Sequence, residues 1–325
     1  MEKIRWGIIG CGDVTEVKSG PAFNKVEGST LVAVMRRNAN LAEDYARRHH
    51  VPTWYTDANA LINDPEVNAI YVATPPSSHE QYAIAAMQAG KPVYVEKPMT
   101  MNVDSAKSMV AAASSHQQKM VVAHYRRAQP IFKTIKQLID EKRIRESRIV
   151  RLTMFKKLMS EEELKNPQKA WRVNKSESGG GLFHDLAPHQ LDLLIYFFGE
   201  VAGASGYGCN QKGAYDADDT VTGCIEFVNG VMFTGVWAFT MDNGEEIDKC
   251  EIIGDKGRIE FSFFSHSPIL VTIGHQTDVI SFQPLEHVQQ PMIQEVVNYF
   301  LNKGRNPCSG EEGVKVMDLI DRFTS

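Results

Sequence analysis

Short apolar runs alternate with helical patterns along roughly the first 120 residues of the chain. The runs predicted to be strands are Ile4–Ile9, Leu31–Met35, Thr53–Tyr55, Ala69–Ala73, Val93–Val95 and Lys119–Ala123. Helical spacing is clearest over residues 41–49 and 79–89. Because buried parallel strands are continuously apolar and are joined by helices, this alternation predicts a doubly wound parallel sheet.

Past residue 124 the pattern changes, and after one helix near 131–141 the strand-like segments follow one another directly. These segments are Ile149–Phe155, Ala202–Gly208, Val221–Phe227, Val231–Phe239, Cys250–Ile253, Arg258–Phe263 and Ile269–Ile273. Asn229-Gly230 is a strong hairpin signal between two of them, and Asp255-Lys256-Gly257 indicates a second hairpin. Strands joined by hairpins pair antiparallel, which predicts an α+β domain with a large open, mainly antiparallel sheet.

Two helices are predicted at the end of the chain. Pro291 suits the first turn of one, and Ser309 with Glu312 forms a capping box for the other. We therefore predict an α/β protein with a doubly wound parallel sheet over 1–123 and an α+β domain over 124–325. The last helix could instead pack back on the first domain.

Composition narrows the class of protein. The 325 residues suit about two domains, and 43% hydrophobic with 23% charged residues is ordinary for a globular chain. A net charge of -5 offers no basic field for nucleic acid or anionic membrane, and no apolar run reaches membrane-spanning length. The chain begins with strand-like sequence and has five scattered cysteines. We therefore predict a cytoplasmic protein without zinc, another metal or disulfides.

The first predicted strand ends in Gly10-Cys11-Gly12 and is followed by Asp13 and Val14. The first glycine allows a tight turn, and the second lets a pyrophosphate approach backbone N–H groups at a helix N-terminus. Thr15 stands where a third glycine or an alanine is usual. A bare Gly-x-Gly is a weak signal, but its place after a strand that opens a βαβ series favours a dinucleotide site.

The second predicted strand is followed by Arg36 and Arg37 rather than by an acid. An NAD-specific site places Asp or Glu there to bind the adenosine ribose hydroxyls. Two arginines are suited instead to bind a 2′-phosphate or to stack on adenine. The alternative is a pair of surface arginines, and NAD remains possible, but the pattern favours NADP.

The run Val93–Val95 leads into Glu96, Lys97 and Pro98. A buried parallel strand ends in the crevice where open α/β sheets bind ligands, which would place Glu96 and Lys97 at that edge. Taken alone, Lys97 is better interpreted as a solvated loop lysine, which is what most lysines are.

A second candidate constellation follows the glycine run Gly179–Gly181. Three glycines let the backbone pass close to a ligand or to another segment. Asp185 and His189 are four residues apart, so on a helix they share a face, where Asp185 would orient a proton-carrying imidazole. Because proline is tolerated only in the first turn, Pro188 predicts that Asp185 is the helix N-cap. The alternative is a capping aspartate beside an ordinary histidine.

Together these motifs resemble the Gfo/Idh/MocA oxidoreductases, the glucose-fructose oxidoreductase and inositol dehydrogenase family. The resemblance covers essentially the whole chain. The motifs that carry it are Gly10-Cys11-Gly12, Thr74-Pro75-Pro76 with His79, Gly90-Lys91-Pro92 with Glu96-Lys97-Pro98, and Gly179–Gly181 with Asp185 and His189.

The resemblance implies that 1–123 is a dinucleotide-binding Rossmann domain and that 124–325 is a substrate-binding and oligomerisation α+β domain, whose sheet often forms a dimer or tetramer interface. It also implies hydride transfer on a sugar or polyol. It makes Lys97, Asp185 and His189 the catalytic residues: Lys97 neutralises charge on the substrate oxygen and His189 passes the proton. The implied cofactor-binding residues are Gly10, Gly12, Asp13, Val14, Arg36, Arg37, Thr74, Pro75, His79, Glu96 and Lys97. The candidate substrate residues are Tyr125, Lys156, Trp171 and Arg172. A cis Lys97-Pro98 peptide bond is frequent in the family.

The leading hypothesis is an NADP-preferring dehydrogenase or reductase that transfers a hydride to or from a hydroxyl or carbonyl carbon of a sugar, polyol or related compound. One alternative is a glycosidase of the same family that uses tightly held NAD without net redox. Another is a non-catalytic nucleotide-sensing regulator, against which the retained Lys97, Asp185 and His189 argue. The expected partners are a small-molecule substrate and further copies of the chain through the second sheet, without nucleic acid or membrane.

Overall fold

The computed structural model describes residues 2–324, apart from the side chain of Gln168. The chain divides into two compact units. The first runs up to Gln129 and includes Leu285–Met317, and the second comprises Pro130–Pro284 and the residues from Asp318 on. Each unit is described by itself below.

The first unit is built on a six-stranded parallel sheet in the order β3-β2-β1-β4-β5-β6. Its strands are β1 Ile4–Ile9, β2 Ser29–Met35, β3 Thr53–Tyr55, β4 Ala69–Val72, β5 Val93–Val95 and β6 Met120–Val122. The helices between them are α1 Asp13–Val17, α2 Ala39–Arg48, α3 Ala58–Ile62, α4 His79–Gln88 and α5 Val103–Ser115, with 3-10 turns at Gly20–Asn24, Pro76–Ser78 and Tyr125–Ala128. This strand order reverses direction between β1 and β4, the place where dinucleotide folds bind their ligand. The predicted Rossmann sheet is confirmed.

Aromatic side chains fill the core of this unit. Trp6 of β1 packs on Phe23 with ring centroids 4.9 Å apart, and Tyr71 stacks on Tyr94 at 5.1 Å. Helix α11, Gln290–Phe300, places Phe300 5.6 Å from the same Trp6 ring. Burial of these large rings explains why Leu285–Met317 belongs to the first unit although it lies far from β1–β6 in sequence. The predicted domain bounds allowed such a return for the last helix only, and they stay a prediction.

The second unit contains an eight-stranded sheet in the order β14-β13-β12-β11-β7-β10-β9-β8. Its strands are β7 Ser147–Lys157, β8 Val201–Cys209, β9 Thr220–Phe227, β10 Met232–Met241, β11 Ile247–Gly254, β12 Gly257–Phe261, β13 Ile269–Ile273 and β14 Gln276–Ile280. Both predicted hairpins form, between β9 and β10 and between β11 and β12. Only β7 and β10 pair in parallel among the strands that the structure describes here, so the sheet is mixed and mainly antiparallel.

One face of this sheet is covered, and the other exposes polar side chains together with apolar ones such as Ile149 and Tyr207. On the covered face Trp237 of β10 packs edge-on against Phe183, with centroids 5.1 Å apart. On the other face Arg151 lies 3.4 Å from Glu251 and Lys249 lies 2.8 Å from Glu260. These cross-strand ion pairs follow from the alternation of side chains along each strand, which places opposite charges on adjacent strands.

The remaining helices are α6 Pro130–Asp140, the short α7 Glu161–Lys165, α8 Pro167–Ala170 and α9 Lys175–Ser178, the long α10 Leu182–Phe198, and α12 Gly310–Thr324, with a 3-10 turn at Trp171–Val173. The predicted capping box of the last helix is confirmed. The Glu312 N–H donates to the Ser309 hydroxyl at 3.3 Å, and the Ser309 N–H donates to the Glu312 carboxylate at 2.8 Å. No helix within residues 2–324 is long and apolar enough to cross a membrane.

Helix α10 begins earlier than the sequence predicted. Its N-cap is Gly181, so Asp185 lies within the helix and Pro188 is well inside it. The prediction of Asp185 as N-cap was therefore wrong. An interior proline costs about 3 kcal/mol because it removes a backbone donor and crowds the preceding turn. Each buried large apolar side chain of this helix, such as Leu194 or Phe198, contributes roughly 1.5–3 kcal/mol, and together they outweigh that cost.

Candidate active site

The glycine turn after β1 has a steric requirement at one glycine and open space at the other. Gly10 has φ +94°, and a Cβ there would lie 2.8 Å from the backbone nitrogen of Thr74. A Cβ at Gly12, the N-cap of α1, would meet nothing within 4 Å. Gly10 thus allows β1 and the end of β4 to approach each other, whereas the space beside Gly12 is open and Asp13 is exposed. Binding of a pyrophosphate at this turn stays a prediction.

Thr15 stabilises this turn from inside the fold. Its side chain is fully buried, and its hydroxyl donates to the Gly12 carbonyl at 2.7 Å. Its own carbonyl accepts a hydrogen bond from the Tyr45 hydroxyl at 2.8 Å. The departure from the usual glycine or alanine is therefore accommodated by local hydrogen bonds, with the Thr15 hydroxyl turned toward the protein.

The Thr74-Pro75 turn is joined to the Pro98 turn through His79. The His79 ring is fully buried, with Nε2 2.7 Å from the Thr74 carbonyl and Nδ1 3.0 Å from the Pro98 carbonyl. Burial lowers the pKa of His79, and the Thr74 and Pro98 carbonyls oppose this shift only in part. His79 thus holds two turns at the carboxyl edge of the sheet, and Thr74 in turn accepts a hydrogen bond from Ser78.

The strand end at Glu96 and Lys97 lies at the same edge. Glu96 is 5% exposed, whereas Lys97 is only half-buried. One carboxylate oxygen of Glu96 accepts hydrogen bonds from the Tyr71 hydroxyl at 2.5 Å and from the Gln289 amide at 2.6 Å. The other accepts from the backbone N–H of Lys97 at 3.1 Å. The Lys97-Pro98 peptide bond is cis.

Arg36 and Arg37 follow β2 directly. Arg36 is half-buried and donates from Nη1 to the Cys11 carbonyl at 3.2 Å, which attaches it to the glycine turn. Arg37 is exposed. Burial raises the pKa of the Cys11 thiol to about 11, so that this thiol stays neutral beside the arginine.

The glycine run before α10 is required by packing. A Cβ at Gly180 would lie 2.0 Å from Cε1 of His184, and a Cβ at Gly181 would lie 2.5 Å from the Cβ of Ala217. Gly181 also has φ +85°, which favours glycine. Of the two predicted reasons for the run, close approach to another segment is therefore the one that the structure displays.

Asp185 and His189 lie one turn apart on α10, as their spacing predicted. Asp185 pairs with Arg172, whose Nε is 3.4 Å from Oδ2. The Arg172 guanidinium also lies over the Trp171 ring, 4.8 Å from its centroid. His189 is 4% exposed and meets Phe264 edge-to-face at 5.8 Å. The second unit thus brings Trp171, Arg172 and Asp185 together, with His189 on the same helix.

The two remaining candidate substrate residues lie apart from these groups in the sequence. Tyr125 belongs to the 3-10 turn after β6, where it is 5% exposed and has the Arg126 guanidinium 5.5 Å from its ring centroid. Lys156 is half-buried near the end of β7. A role for either in substrate binding stays a prediction.

Sequence reasoning missed Tyr71 and Gln289, the two side chains that hydrogen-bond Glu96. Tyr71 sits in an apolar run where an aromatic residue is expected merely to pack. Gln289 is separated from Glu96 by 193 positions and precedes a helix for which Pro291 was the visible signal. A polar residue before a predicted helix is the only hint that the sequence offers for Gln289, and it does not point to Glu96.

Family models match both parts of the chain. Residues 4–124 match the model described as oxidoreductase family, NAD-binding Rossmann fold, and residues 132–260 match the Gfo/Idh/MocA C-terminal domain. A curated relative, oxidoreductase P35 of Formosa agariphila, is 46% identical over 321 residues, which is 99% of this chain and 98% of the relative. The chain belongs to the Gfo/Idh/MocA oxidoreductase family.

Other members of the family are more distant. The 1,5-anhydro-D-fructose reductase of Ensifer adhaerens is 26% identical over 95% of this chain and 92% of its own length. The NAD⁺-dependent scyllo-inositol 2-dehydrogenase of Bacillus subtilis is 26% identical over 88% of this chain and 82% of its own. The resemblance predicted from the motifs is confirmed, and this Gfo/Idh/MocA protein is an enzyme of the dehydrogenase and reductase class.

Solved structures of two sugar oxidoreductases share the fold. Levoglucosan dehydrogenase in complex with NADH and levoglucosan superposes with a TM-score of 0.86 at 22% identity, covering 99% of this chain and 96% of that one. Aldose-aldose oxidoreductase from Caulobacter crescentus gives a TM-score of 0.86 at 21% identity, over 98% and 96%. These likenesses support the predicted fold class. Residues 2–324 contain no group of three or more His, Cys, Asp or Glu suited to hold a metal ion.

Proposed function

We propose that this enzyme transfers a hydride between NADP and a hydroxyl or carbonyl carbon of a sugar, polyol or related compound. The observation that carries the proposal is the pairing of Arg172 with Asp185, one helical turn before His189. It gives the second unit a carboxylate held in place beside a histidine, which is the arrangement expected of a general acid–base pair. A protein that only senses a nucleotide has no need of such a set. The bound nicotinamide would supply the hydride acceptor or donor.

The roles of the side chains follow from their chemistry. Lys97 stabilises negative charge as it develops on the reacting oxygen, since an ammonium group is a compact donor for an oxyanion. His189 carries the proton that leaves or joins that oxygen, and Asp185 orients the imidazole. Arg172 in turn fixes the carboxylate of Asp185, from 3.4 Å away.

The proposal is tested by reduced-nicotinamide absorbance with NADP(H) or NAD(H) and a panel of aldoses, inositols, anhydrosugars and their keto forms. Turnover of at least one compound is expected. If a chromogenic glycoside is instead cleaved without added nicotinamide, by enzyme that purifies with its cofactor, the reaction is the glycosidase alternative. Absence of nicotinamide turnover across the panel, together with cleavage of glycosides, would contradict hydride transfer as the net reaction.

The cofactor preference should depend on Arg36 and Arg37. A charged hydrogen bond to a phosphate is worth roughly 1.5–3 kcal/mol, and Arg36→Ala with Arg37→Ala removes at least one such bond, so kcat/KM for NADPH should fall by at least about 10-fold. The value for NADH should change less than about threefold. Arg47→Ala is the matched control, because Arg47 is an exposed arginine on α2 that pairs with Asp44. Equal losses with both cofactors would contradict an NADP preference.

The uncovered face of the second sheet is proposed to join copies of the chain into a dimer or tetramer. Ile149 lies opposite Met232 on this face, and Tyr207 and Val236 are both partners of Thr222. Tyr207 is 70% exposed and Ile149 is 45% exposed, which is costly for a sheet face left in water.

Light scattering should therefore give the wild-type protein a mass of at least two chains, and Val236→Lys should lower it. Val228→Lys is the control, since Val228 is exposed but lies in the hairpin turn beyond β9. A wild-type mass of one chain at micromolar concentration would rule out this interface.

A further inference from the structure

The buried carboxylate of Glu96 is surrounded by donors that belong to the protein itself. Tyr71 and Gln289 donate to one oxygen and the backbone N–H of Lys97 donates to the other. Gln289 is held in orientation because its own carbonyl oxygen accepts a hydrogen bond from the Tyr94 hydroxyl at 3.2 Å. Gln289 and both tyrosine side chains are completely buried.

A carboxylate in such a place is stable only when its oxygens are satisfied, because burying an ion without partners is costly. The three donors of Glu96 are neutral, so its negative charge is held by hydrogen bonds alone. Burial, and then the charge of Glu96, raise the pKa of Tyr71 well above its ordinary value, so its hydroxyl stays protonated as a donor. Glu96 thus uses both oxygens inside the fold.

The segment 286–289 is attached to a second part of the first unit by hydrogen bonds. Nδ1 of His287 lies 2.6 Å from the Val17 carbonyl, within hydrogen-bond distance, and the Gln289 N–H donates to the Lys18 carbonyl at 3.2 Å. Gln129 donates to the Val288 carbonyl at 3.1 Å. One short stretch of chain therefore contacts the end of the helix that follows the glycine turn and, through Gln289, the carboxylate before Lys97.

We propose that Glu96 is a positioning residue for Lys97, held by Tyr71 and Gln289, and not a ligand of the cofactor ribose. This inference rests on the proposed function, because it assumes that Lys97 acts on the substrate oxygen. The carboxylate receives the Lys97 N–H where β5 ends, so it fixes the direction in which the Lys97 side chain leaves the main chain. Gln289 and Tyr71 act one step further away, by fixing the carboxylate.

The test compares two identical chemical changes on one part of the chain. Gln289→Leu removes the amide that donates to Glu96. Gln294→Leu removes a glutamine within α11, the helix for which Gln289 is the N-cap. The Gln294 amide oxygen accepts from the Glu27 N–H at 2.8 Å, and its side chain does not contact Glu96. Gln289→Leu should lower kcat about 10- to 100-fold, as expected for loss of a hydrogen bond to a charged group. Cofactor Kd, from quenching of protein fluorescence, should change less than about threefold, and Gln294→Leu should leave kcat within about twofold.

A second measurement needs no substrate. In an NMR experiment that correlates an amide with the preceding carbonyl carbon, protein labelled with ¹³C-carbonyl glutamate and ¹⁵N lysine gives signals only from its Glu–Lys peptide units. The signal that is lost in Lys97→Arg is the Lys97 amide. This signal should move in Gln289→Leu and in Tyr71→Phe, which each remove a donor to Glu96, and stay in place in Gln294→Leu. If wild-type protein has no turnover, the proposed function fails while the amide signal still reports whether Glu96 holds Lys97. An unmoved signal, or a Glu96→Gln variant that loses cofactor affinity more than about tenfold with kcat intact, would overturn the inference.

Discussion

Lys97→Met is expected to lower kcat by about 10²- to 10³-fold while cofactor binding and the melting temperature stay close to those of the wild type. Removing one donor that stabilises a developing oxyanion costs roughly this much in enzymes where it has been measured. Methionine keeps the length of the side chain and removes its charge. Because Lys97 is half-buried and Glu96 contacts its backbone rather than its ammonium group, the buried network should survive the change.

Two further variants separate charge from packing. Lys97→Arg keeps a positive charge and should retain more activity than Lys97→Met. Lys91→Met removes a lysine just before the start of the same strand, where Nζ donates to the Asp64 carbonyl at 2.7 Å, and should keep kcat within about threefold. Single-turnover absorbance of the nicotinamide isolates the chemical step from product release. Equal single-turnover rates for Lys97→Met and the wild type would remove Lys97 from the reaction.

The first sheet could be predicted because its physics is local in sequence. A buried parallel strand must be apolar on both faces, so Ala69–Val72 and Val93–Val95 appear as continuous runs, and the connecting helices have their own period. The hairpins of the second sheet were equally visible, since Asn229-Gly230 suits a tight turn. The strand Gln276–Ile280 was missed because its side chains are mostly exposed and polar.

Long-range contacts decided the features that sequence reasoning could not supply. Pro188 predicted a later start for α10, yet the helix begins after Gly181, where its apolar side chains are buried and Gly181 packs on Ala217. The burial of apolar side chains therefore outweighed the low helix propensity of proline at this position. The return of α11 to the first unit likewise depends on the packing of Phe300 on Trp6. The hydrophobic periodicity of either segment does not predict this contact.

The candidate site was recognised as a set of residues, while the contacts that organise it were not. Lys97, Asp185 and His189 are visible because their residue types carry chemistry. Tyr71 lies in an apolar run typical of the core, and Arg172 was predicted as a substrate contact and not as the partner of Asp185. Their roles arise only when the fold places Tyr71 on Glu96 and Arg172 on Asp185.

His189→Asn is expected to lower kcat by about 10²- to 10⁴-fold, the range typical for loss of a general acid–base group. It should also remove one limb of the pH dependence of kcat/KM, because asparagine does not titrate. His189 is buried beside Phe264, so some loss of stability is expected as well, and stability must be separated from chemistry. Steady-state rates from pH 5 to 9, with melting temperatures at each pH, make that separation.

His184→Asn provides the matched control on the same helix. His184 is as buried as His189, and its ring presses on Gly180, so its replacement should lower the melting temperature. Burial lowers the pKa of His184 to about 4, so it stays neutral across the assay range and contributes no limb to the profile. His184→Asn should therefore have a lower melting temperature than the wild type. Its kcat should stay within about threefold, and the pH profile of kcat/KM should be that of the wild type. If His184→Asn loses as much activity as His189→Asn, the losses reflect damage to α10, and the proton carrier must be sought elsewhere.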